Sequence, residues 1–194
     1  MTDIVIRLAK YFYHVKDVFG IKIYASRSVD PLKIEHAAAV AAGYLDSNQD
    51  GEADDQRVLD SLLAFDSAIV IHQDETEEAR NSNSYSRIVD QYGVYLKSLY
   101  GEEIRPVGSR FVAGSYEADG SIEEILHMIT VKGYSYAYPN TFGFKDSFPG
   151  DTESSRISQA ARMARGGIED DARDLYPEVA WYRRYDEECY WDVL

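Results

Sequence analysis

A buried β-strand is predicted at Ser67-Ala68-Ile69-Val70-Ile71-His72, where four apolar residues stand in a row between polar ends. The run is short, and its β-branched residues favour a strand over a helix. Upstream, the segment Ile21–Ala25 follows the breaker Gly20 and alternates with a period of two, which predicts a second strand. We expect both strands to belong to a small mixed sheet.

Helical patterns surround these strands. Pro31 suits the first turn of a helix, and the alanine-rich sequence after it favours helix as far as Leu45. Apolar residues at helical spacing predict a second helix over residues 55–65. Downstream, the pattern predicts a loop over 73–84, a helix that carries Ile88 to Leu99, and a strand at 111–113. A helix is predicted from Gly120, capped by Asp119 or Ser121. An extended segment through Tyr134, Tyr136 and Tyr138 and a helix over 157–165 follow.

Length and composition indicate one folded domain. The chain has 194 residues, a size that supports a single domain with its own core. Apolar residues make up 45% of the sequence and charged residues 28%, as in ordinary globular proteins rather than disordered ones. We therefore predict a single α+β domain over residues 1–194, in which helices predominate over the small mixed sheet.

The charge balance excludes several classes of partner. Twenty Lys and Arg residues against 34 Asp and Glu residues give a formal net charge of −14, which repels nucleic acids and anionic lipids and favours divalent cations. No apolar run approaches the length of a membrane-spanning helix, so we expect no membrane insertion. The single cysteine, Cys189, excludes an internal disulfide. An extracellular or periplasmic location is expected if a signal peptide has been removed.

The acidic segment over residues 46–55 has the spacing of a calcium loop. Oxygen-bearing side chains occupy its first, third and fifth positions, and a glycine at the sixth allows a sharp turn. The backbone carbonyl of the seventh residue and the carboxylate of the ninth can add further oxygen ligands for Ca²⁺. The predicted calcium ligands are Asp46, Asn48, Asp50, Glu52 and Asp54.

This D-x-N-x-D-G pattern resembles the calcium loops of EF-hands, dockerins and thrombospondin repeats. It departs from the EF-hand at the twelfth position, where Arg57 stands in place of a bidentate glutamate, although Asp55 or another acid could complete the shell. The resemblance implies a weak, structural site suited to millimolar calcium, which fixes the angle between the two flanking helices. The alternative is a solvated acidic turn between those helices.

A second candidate site lies in the helix from Gly120, in the sequence Glu123-Glu124-Ile125-Leu126-His127. Residues four apart share a helix face, so Glu123 and His127 could bind one metal ion while Glu124 polarises a metal-bound water. In the alternative, Ile122, Ile125, Leu126 and Ile129 form a core stripe, and the glutamates are solvated near the positive end of the helix dipole.

The segment resembles the H-E-x-x-H signature of the zincin metalloproteases, with Glu123 where that family has its first histidine. The resemblance implies Zn²⁺ as cofactor, a helix packed under a small sheet, a peptide substrate along an edge strand near 111–116, and Glu124 as general base. No histidine follows His127, so an acidic third ligand of the gluzincin kind is implied. The candidates for it are Asp146, Glu178, Asp186, Glu187, Glu188 and Asp192.

The remaining histidines and tyrosines are assigned mainly to packing. His36 lies among alanines and is interpreted as a core residue, and His14 lies among aromatic residues. His72 ends the predicted buried strand and could face a site. One of the tyrosines after the EExxH helix could donate a hydrogen bond to an oxyanion, although packing is the simpler interpretation.

Three functional hypotheses follow from the sequence. The first is a metal-dependent peptidase-like protein with a structural calcium site, in which Glu124 activates water. The second is a non-catalytic, calcium-stabilised binding module or an inactive metalloprotease homologue. The third is a glycosidase that uses two acids, whose separation decides the reaction outcome. The first hypothesis implies a peptide or protein substrate, and the oligomeric state stays open.

Overall fold

The computed structural model describes residues 7–108, 119–143 and 155–164, with side chains described to residue 160. The chain divides into two compact units, Met1–Met128 and Ile129–Leu194. The first unit contains a four-stranded mixed sheet with helices, and the second is helical where it is described. The predicted α+β class, with a small mixed sheet and abundant helix, is confirmed.

The sheet consists of β1 (His14–Val18), β2 (Ile21–Ala25), β3 (Ala68–His72) and β4 (Leu96–Tyr100), in that spatial order. β1 pairs antiparallel to β2, whereas β2, β3 and β4 are parallel to one another. All five residues of β3 are buried. The predictions of β2 and of β3 as a buried strand are therefore confirmed.

Among the described residues, the first unit contains four full helices, α1 (Pro31–Leu45), α2 (Gln56–Ala64), α3 (Glu75–Tyr92) and α4 (Gly120–Met128), besides a helical turn at residues 7–9. The side chains of Asp30, Asp55 and Asp74 cap the first three by accepting hydrogen bonds from backbone amides of the first turn. At α4, the Asp119 carboxylate accepts from the Ser121 amide, as the sequence predicted. The predicted helices over 31–45, over 55–65 and from Gly120 are confirmed.

The prediction for residues 73–99 is wrong at both ends. The segment predicted as a loop over 73–84 forms the first half of α3. Asp74 caps this helix, and the three glutamates of its first turn interact favourably with the positive end of the helix dipole. The predicted helix through Leu99 ends instead at Gly93, whose φ of 65° is left-handed. The apolar residues after that glycine belong to β4.

Helices cover both faces of the sheet. On one face, Tyr24, Val70 and Tyr85 belong to a cluster that joins the sheet to α3. On the other face, α1 contacts β1 and β2, and α4 contacts both α1 and β4. An ion pair between Lys16 of β1 and Glu35 of α1 lies on this second face of the sheet. This burial on two faces explains why the first four residues of β3 are all apolar.

The two parallel crossovers have opposite hands. The chain advances in one direction across the sheet, from β2 to β3 and then from β3 to β4. The first crossover passes over the face that carries α1, and the second passes over the face that carries α3. Connections that advance in the same direction over opposite faces differ in hand, so one of the two departs from the usual right-handed rule.

The second unit begins with a π-helix, Ile129–Tyr134, followed by the short helices α5 (Ser135–Ala137) and α6 (Pro139–Phe142) and by α7 (Arg156–Ala164). The extended segment predicted through the tyrosines is wrong. The Ser135 hydroxyl can bond the Thr130 and Phe142 carbonyls, and the Tyr138 amide donates to the Tyr134 carbonyl, so the segment winds as helix. The predicted helix over 157–165 agrees with α7.

Truncation of a β3 side chain tests the buried position of this strand. Ile71 is fully buried, and Ile71→Ala should lower the free energy of unfolding by about 2–5 kcal/mol because it leaves a cavity between sheet and helix. Val15→Ala on the exposed side of β1 should cost less than about 1 kcal/mol. Urea unfolding measures both, and equal losses would contradict the burial of β3.

Candidate functional site

The calcium-loop segment turns around the carboxylate of Asp46. This residue follows the last turn of α1, and its two carboxylate oxygens accept hydrogen bonds from the amides of Asp50, at 3.1 Å, and Gly51, at 2.9 Å. Gly51 has a φ of 89° and Gln49 a φ of 62°, both left-handed. The glycine at the sixth position is therefore required by the backbone, as the sequence indicated.

The other predicted ligands near the tip of the loop bond to one another. The Asn48 carbonyl oxygen accepts from the Asp50 amide at 2.9 Å, and its amide nitrogen donates to the Asp50 carboxylate at 3.0 Å. The second oxygen of Asp50 accepts from the amide of Glu52, whose own side chain is exposed. A carboxylate has about four lone-pair sites, so these bonds leave Asp50 able to accept a cation as well.

Asp54 closes the loop from the far side. Its carboxylate accepts hydrogen bonds from the Ser47 hydroxyl at 2.5 Å and from the Ser47 amide at 2.8 Å. These bonds lower the pKa of Asp54, so its carboxylate is ionised at neutral pH. The Asp54 amide donates to the Leu45 carbonyl at 2.8 Å, which joins the two ends of the loop. Asp55 instead caps α2 through the amides of Arg57 and Val58.

Within residues 7–108, 119–143 and 155–160, no three His, Cys, Asp or Glu side chains gather closely enough to hold a metal ion. The predicted calcium loop also uses the Asn48 amide and the Glu52 carbonyl, which are outside that group of side chains. The loop is thus folded around its first predicted ligand, and calcium binding there stays a prediction.

The predicted zinc ligands on α4 lie in different environments. Glu123 is exposed, whereas His127 is only 4% exposed and is packed with the core face of the helix that carries Ile125 and Met128. The four-residue spacing brings the two side chains to neighbouring turns, but one side chain faces solvent and the other the interior. Zinc binding by this pair stays a prediction.

Glu124, the predicted general base, forms an ion pair. Its Oε2 lies 2.6 Å from Lys97 Nζ of β4 and 3.7 Å from His127 Nδ1. Partial burial opposes ionisation of Glu124, but the interactions with His127 and Lys97 outweigh it and lower the pKa of the carboxyl. Glu124 is therefore a carboxylate at neutral pH, with a lysine as its closest cation.

A second glutamate adjoins this ion pair. Burial, followed by the negative charge of Glu124, raises the pKa of Glu103. Glu103 lies over the start of α4, where a Cβ at Gly120 would come within 2.9 Å of the Glu103 Cβ. Glycine at this position thus makes room for Glu103. The opposite pKa shifts are of the kind found in acid and base pairs, although the Lys97 contact also explains them structurally.

The remaining elements of the peptidase hypothesis fall on other parts of the chain. The edge strand predicted near 111–116 lies outside the described residues, and so do all the proposed third zinc ligands. Those residues are Asp146, Glu178, Asp186, Glu187, Glu188 and Asp192.

Of the histidines assigned to packing, His36 has a polar partner among the described residues and His14 does not. The interpretation of His36 as a core residue is wrong, because its ring is partly exposed and its Nε2 lies 2.5 Å from the Asp119 carboxylate. Hydrogen bonds from His36 and Ser121 outweigh the effect of burial and lower the pKa of Asp119. His14 packs edge-on against the Tyr13 ring, with 4.7 Å between ring centroids, in agreement with its assignment to packing.

His72 belongs to a polar network that the sequence did not predict. Its Nε2 lies 3.1 Å from the hydroxyl of Tyr85 on α3, and both side chains are buried. Glu77 of α3 accepts hydrogen bonds from Ser26 and Ser28, which follow β2, at 2.7–2.8 Å. The next residue, Glu78, accepts from side chains of β4, namely Ser98 and Tyr100.

We call this network the α3 clasp; it consists of Glu77, Glu78 and Tyr85 together with His72, Ser26, Ser28, Ser98 and Tyr100. It ties one helix to the carboxyl ends of all three parallel strands. Ligands of open α/β sheets ordinarily bind at this edge. Here its polar side chains bond to one another instead.

Comparison with protein-family models found no match, and comparisons with curated proteins and with solved structures found none of significance. Among the described residues, no helix combines the length and the apolar character needed to cross a membrane, in agreement with the expectation of no membrane insertion. The resemblances to zincins and to calcium loops therefore depend on the quoted motifs alone.

The Lys97–Glu124 ion pair predicts a pH-dependent contribution to stability. Because the pKa of Glu124 is lowered from 4.5 in the folded state, its contribution is present above about pH 4.5 and is lost as pH falls through the folded value. Glu124→Gln should therefore destabilise the protein at neutral pH, and the difference from the wild type should shrink in acid. Urea unfolding across this range measures it, and a difference independent of pH would contradict the assignment.

Proposed function

We propose that this protein binds calcium through the loop at residues 46–55 and that the bound ion has a structural role. The protein would then be a calcium-stabilised, non-catalytic α+β module. The observation that supports this most is the turn of the loop around Asp46, with left-handed backbone at its fourth and sixth positions, Gln49 and Gly51. In calcium loops, the glycine at the sixth position makes the sharp turn that allows oxygen ligands at the first, third and fifth positions to converge on the ion.

The chemistry of the side chains also supports a hard cation. Asp46, Asp50 and Asp54 bring three carboxylates into one ten-residue segment of a chain whose net charge is −14. All three carboxylates accept hydrogen bonds from backbone amides of the loop, so calcium binding would draw their oxygens closer together than they lie among the described residues. A bound cation would offset their negative charge, and carboxylate and carbonyl oxygens are the ligands that Ca²⁺ takes in proteins.

The position of the loop determines what the ion would stabilise. The loop connects the end of α1 to Asp55, the cap of α2, and both helices belong to the crossover between β2 and β3. An ion bound to Asp46 and Asp54 would hold these two helix ends together. The ion would therefore stabilise the crossover, and any binding of a partner would take place at other surfaces of the protein.

The peptidase hypothesis has weaker support. Its general base, Glu124, is paired with Lys97, and its two named zinc ligands, Glu123 and His127, differ in exposure. A metal-dependent reaction would require Lys97 to leave Glu124. We therefore prefer the non-catalytic interpretation.

Calcium should raise the melting temperature. With a dissociation constant of about 0.5 mM, about 5 mM calcium contributes about 1.4 kcal/mol, which corresponds to a rise of about 3–6 °C for a chain of this size. Asp50→Ala should abolish the increase, because it removes a ligand at the fifth position. Differential scanning calorimetry with calcium, magnesium or chelator measures the effect.

Asp60→Ala is the matched control for this measurement. Asp60 is exposed on α2, outside the loop, and its removal changes the net charge by the same amount. This variant should keep the calcium-dependent increase. Equal responses of the wild type and both variants would mean that the loop does not bind the ion.

Replacement of Arg57 should strengthen calcium binding. Arg57 occupies the twelfth position, where a bidentate glutamate completes EF-hand sites. Arg57→Glu adds that ligand, whereas Arg57→Gln only removes the positive charge. Isothermal titration should give at least about tenfold tighter binding for Arg57→Glu than for Arg57→Gln. Equal affinities for the two variants would contradict the assigned ligand positions.

A further inference from the structure

The ring of His72 is enclosed at the carboxyl end of β3. The residue is 1% exposed. Its ring lies nearly parallel to that of Tyr85, with 6.2 Å between centroids, and 6.0 Å from the ring of Phe12. One nitrogen, Nε2, is satisfied by the Tyr85 hydroxyl at 3.1 Å. His72 is thus a titratable group held inside an aromatic enclosure.

The other ring nitrogen of His72, Nδ1, is buried and has no hydrogen-bond partner among the described residues. In either neutral tautomer, only one nitrogen carries a hydrogen, so the enclosed ring leaves one donor or acceptor unsatisfied. A protonated ring has N–H groups on both nitrogens and a positive charge as well. The enclosure therefore suits the neutral ring much better than the charged one.

Two carboxylates could compensate a charge on His72, but both are already engaged. Glu77 accepts hydrogen bonds from Ser26, Ser28 and the Gln73 amide. Glu78 accepts from Ser98 and from Tyr100, whose phenol has a raised pKa because of this bond and stays protonated. To turn toward a charged ring, either carboxylate would have to release its bonds to the strands or loops beside it.

Among the described residues, groups from three surrounding elements face His72. α3 contributes Glu77, Glu78 and the Tyr85 phenol, whose pKa burial raises to about 12. β4 contributes the Tyr100 phenol, through Glu78, and the segment before β1 contributes the uncharged ring of Phe12. Neither phenol titrates near neutral pH, so His72 is the group of the clasp whose ordinary pKa lies closest to neutrality.

We propose that His72 is an acid-sensitive switch: proton uptake by its ring loosens the α3 clasp and releases α3 from the carboxyl edge of the sheet. Protonation of the closed state has two possible results. Either the positive charge of His72 stays buried without compensation, or Glu77 or Glu78 leaves its present hydrogen-bond donors to reach it. Both results destabilise the closed clasp. This inference is independent of the calcium proposal, because the clasp and the loop share no residue.

The direction of the pH effect follows from burial. Burial lowers the pKa of His72, and the opposing charges of Glu78 and Glu77 only partly offset it. A state in which α3 has opened exposes the ring and restores its ordinary pKa of about 6.5. The closed clasp therefore has its full stability above about pH 6.5 and loses it as pH falls, since the open state binds the proton first.

Hydrogen exchange measured by mass spectrometry tests the switch. If His72 has its ordinary pKa in the open state, the ratio of open to closed molecules should be up to about tenfold higher at about pH 5.5 than at about pH 7.5. Exchange rates are corrected for the intrinsic effect of pH before this comparison. We expect this increase in amides of α3 and a smaller one in α1. Calcium is kept constant, so that failure of the calcium proposal does not affect the result.

Two variants identify the titrating group. His72→Gln is neutral at both pH values and should remove the extra opening of α3 in acid. His14→Gln removes a histidine of β1 outside the clasp and should leave the opening as in the wild type. An acid-induced opening that persists in His72→Gln, or that is absent from the wild type, would overturn the proposal.

A measurement on the wild type keeps the test decisive if His72→Gln does not fold. Nuclear magnetic resonance of the histidine ring carbons gives the titration midpoint of each ring. We expect the His72 midpoint to lie below the ordinary value of about 6.5, with loss of the Tyr85 contact as the ring titrates. A midpoint at or above that value would overturn the proposal, because the enclosure would then favour the charged ring.

Discussion

Burial of β3 on both faces is the constraint on which the rest of the first unit depends. A strand with five buried residues needs apolar cover above and below it, and α3 supplies one layer while α1 and α4 supply the other. Its carboxyl end then carries His72 into the interior, where a polar ring must find partners. Within the α3 clasp, the Tyr85 hydroxyl supplies a partner for this buried histidine.

The elements with a strong local signal were predicted from the sequence. Pro31 and the alanines after it favour helix whatever the surroundings, and Ile69 to Ile71 favour a strand that is too short to be anything else. The start of α3 was missed because its first half is polar and reads as a loop. Its stability comes from the Asp74 cap and from Glu77 and Glu78, whose partners lie far away in sequence.

The two candidate sites also differ in how far local sequence determines them. The predicted calcium loop is a local motif, so its spacing indicated the sharp turn at Gly51, whereas the hydrogen bonds that Asp46 accepts from the loop amides became evident only in the structure. The EExxH helix depends on its neighbours, and neither the pairing of Glu124 with Lys97 nor the burial of His127 could be read from helical periodicity. Contacts of this kind, including the one between His72 and Tyr85, join residues on different elements, so local sequence patterns do not predict them.

The placement of the acidic loop within the longest connection of the sheet affects how the chain reaches its native state. Lys22 pairs with Ala68 across that connection, whereas β1 and β2 are joined by a tight turn. Contacts between distant residues form slowly, because the entropy of closing the intervening chain is lost before they do. A segment that holds two helix ends together shortens the effective loop, so we expect residues 46–55 to affect the rate of strand pairing as well as the finished fold.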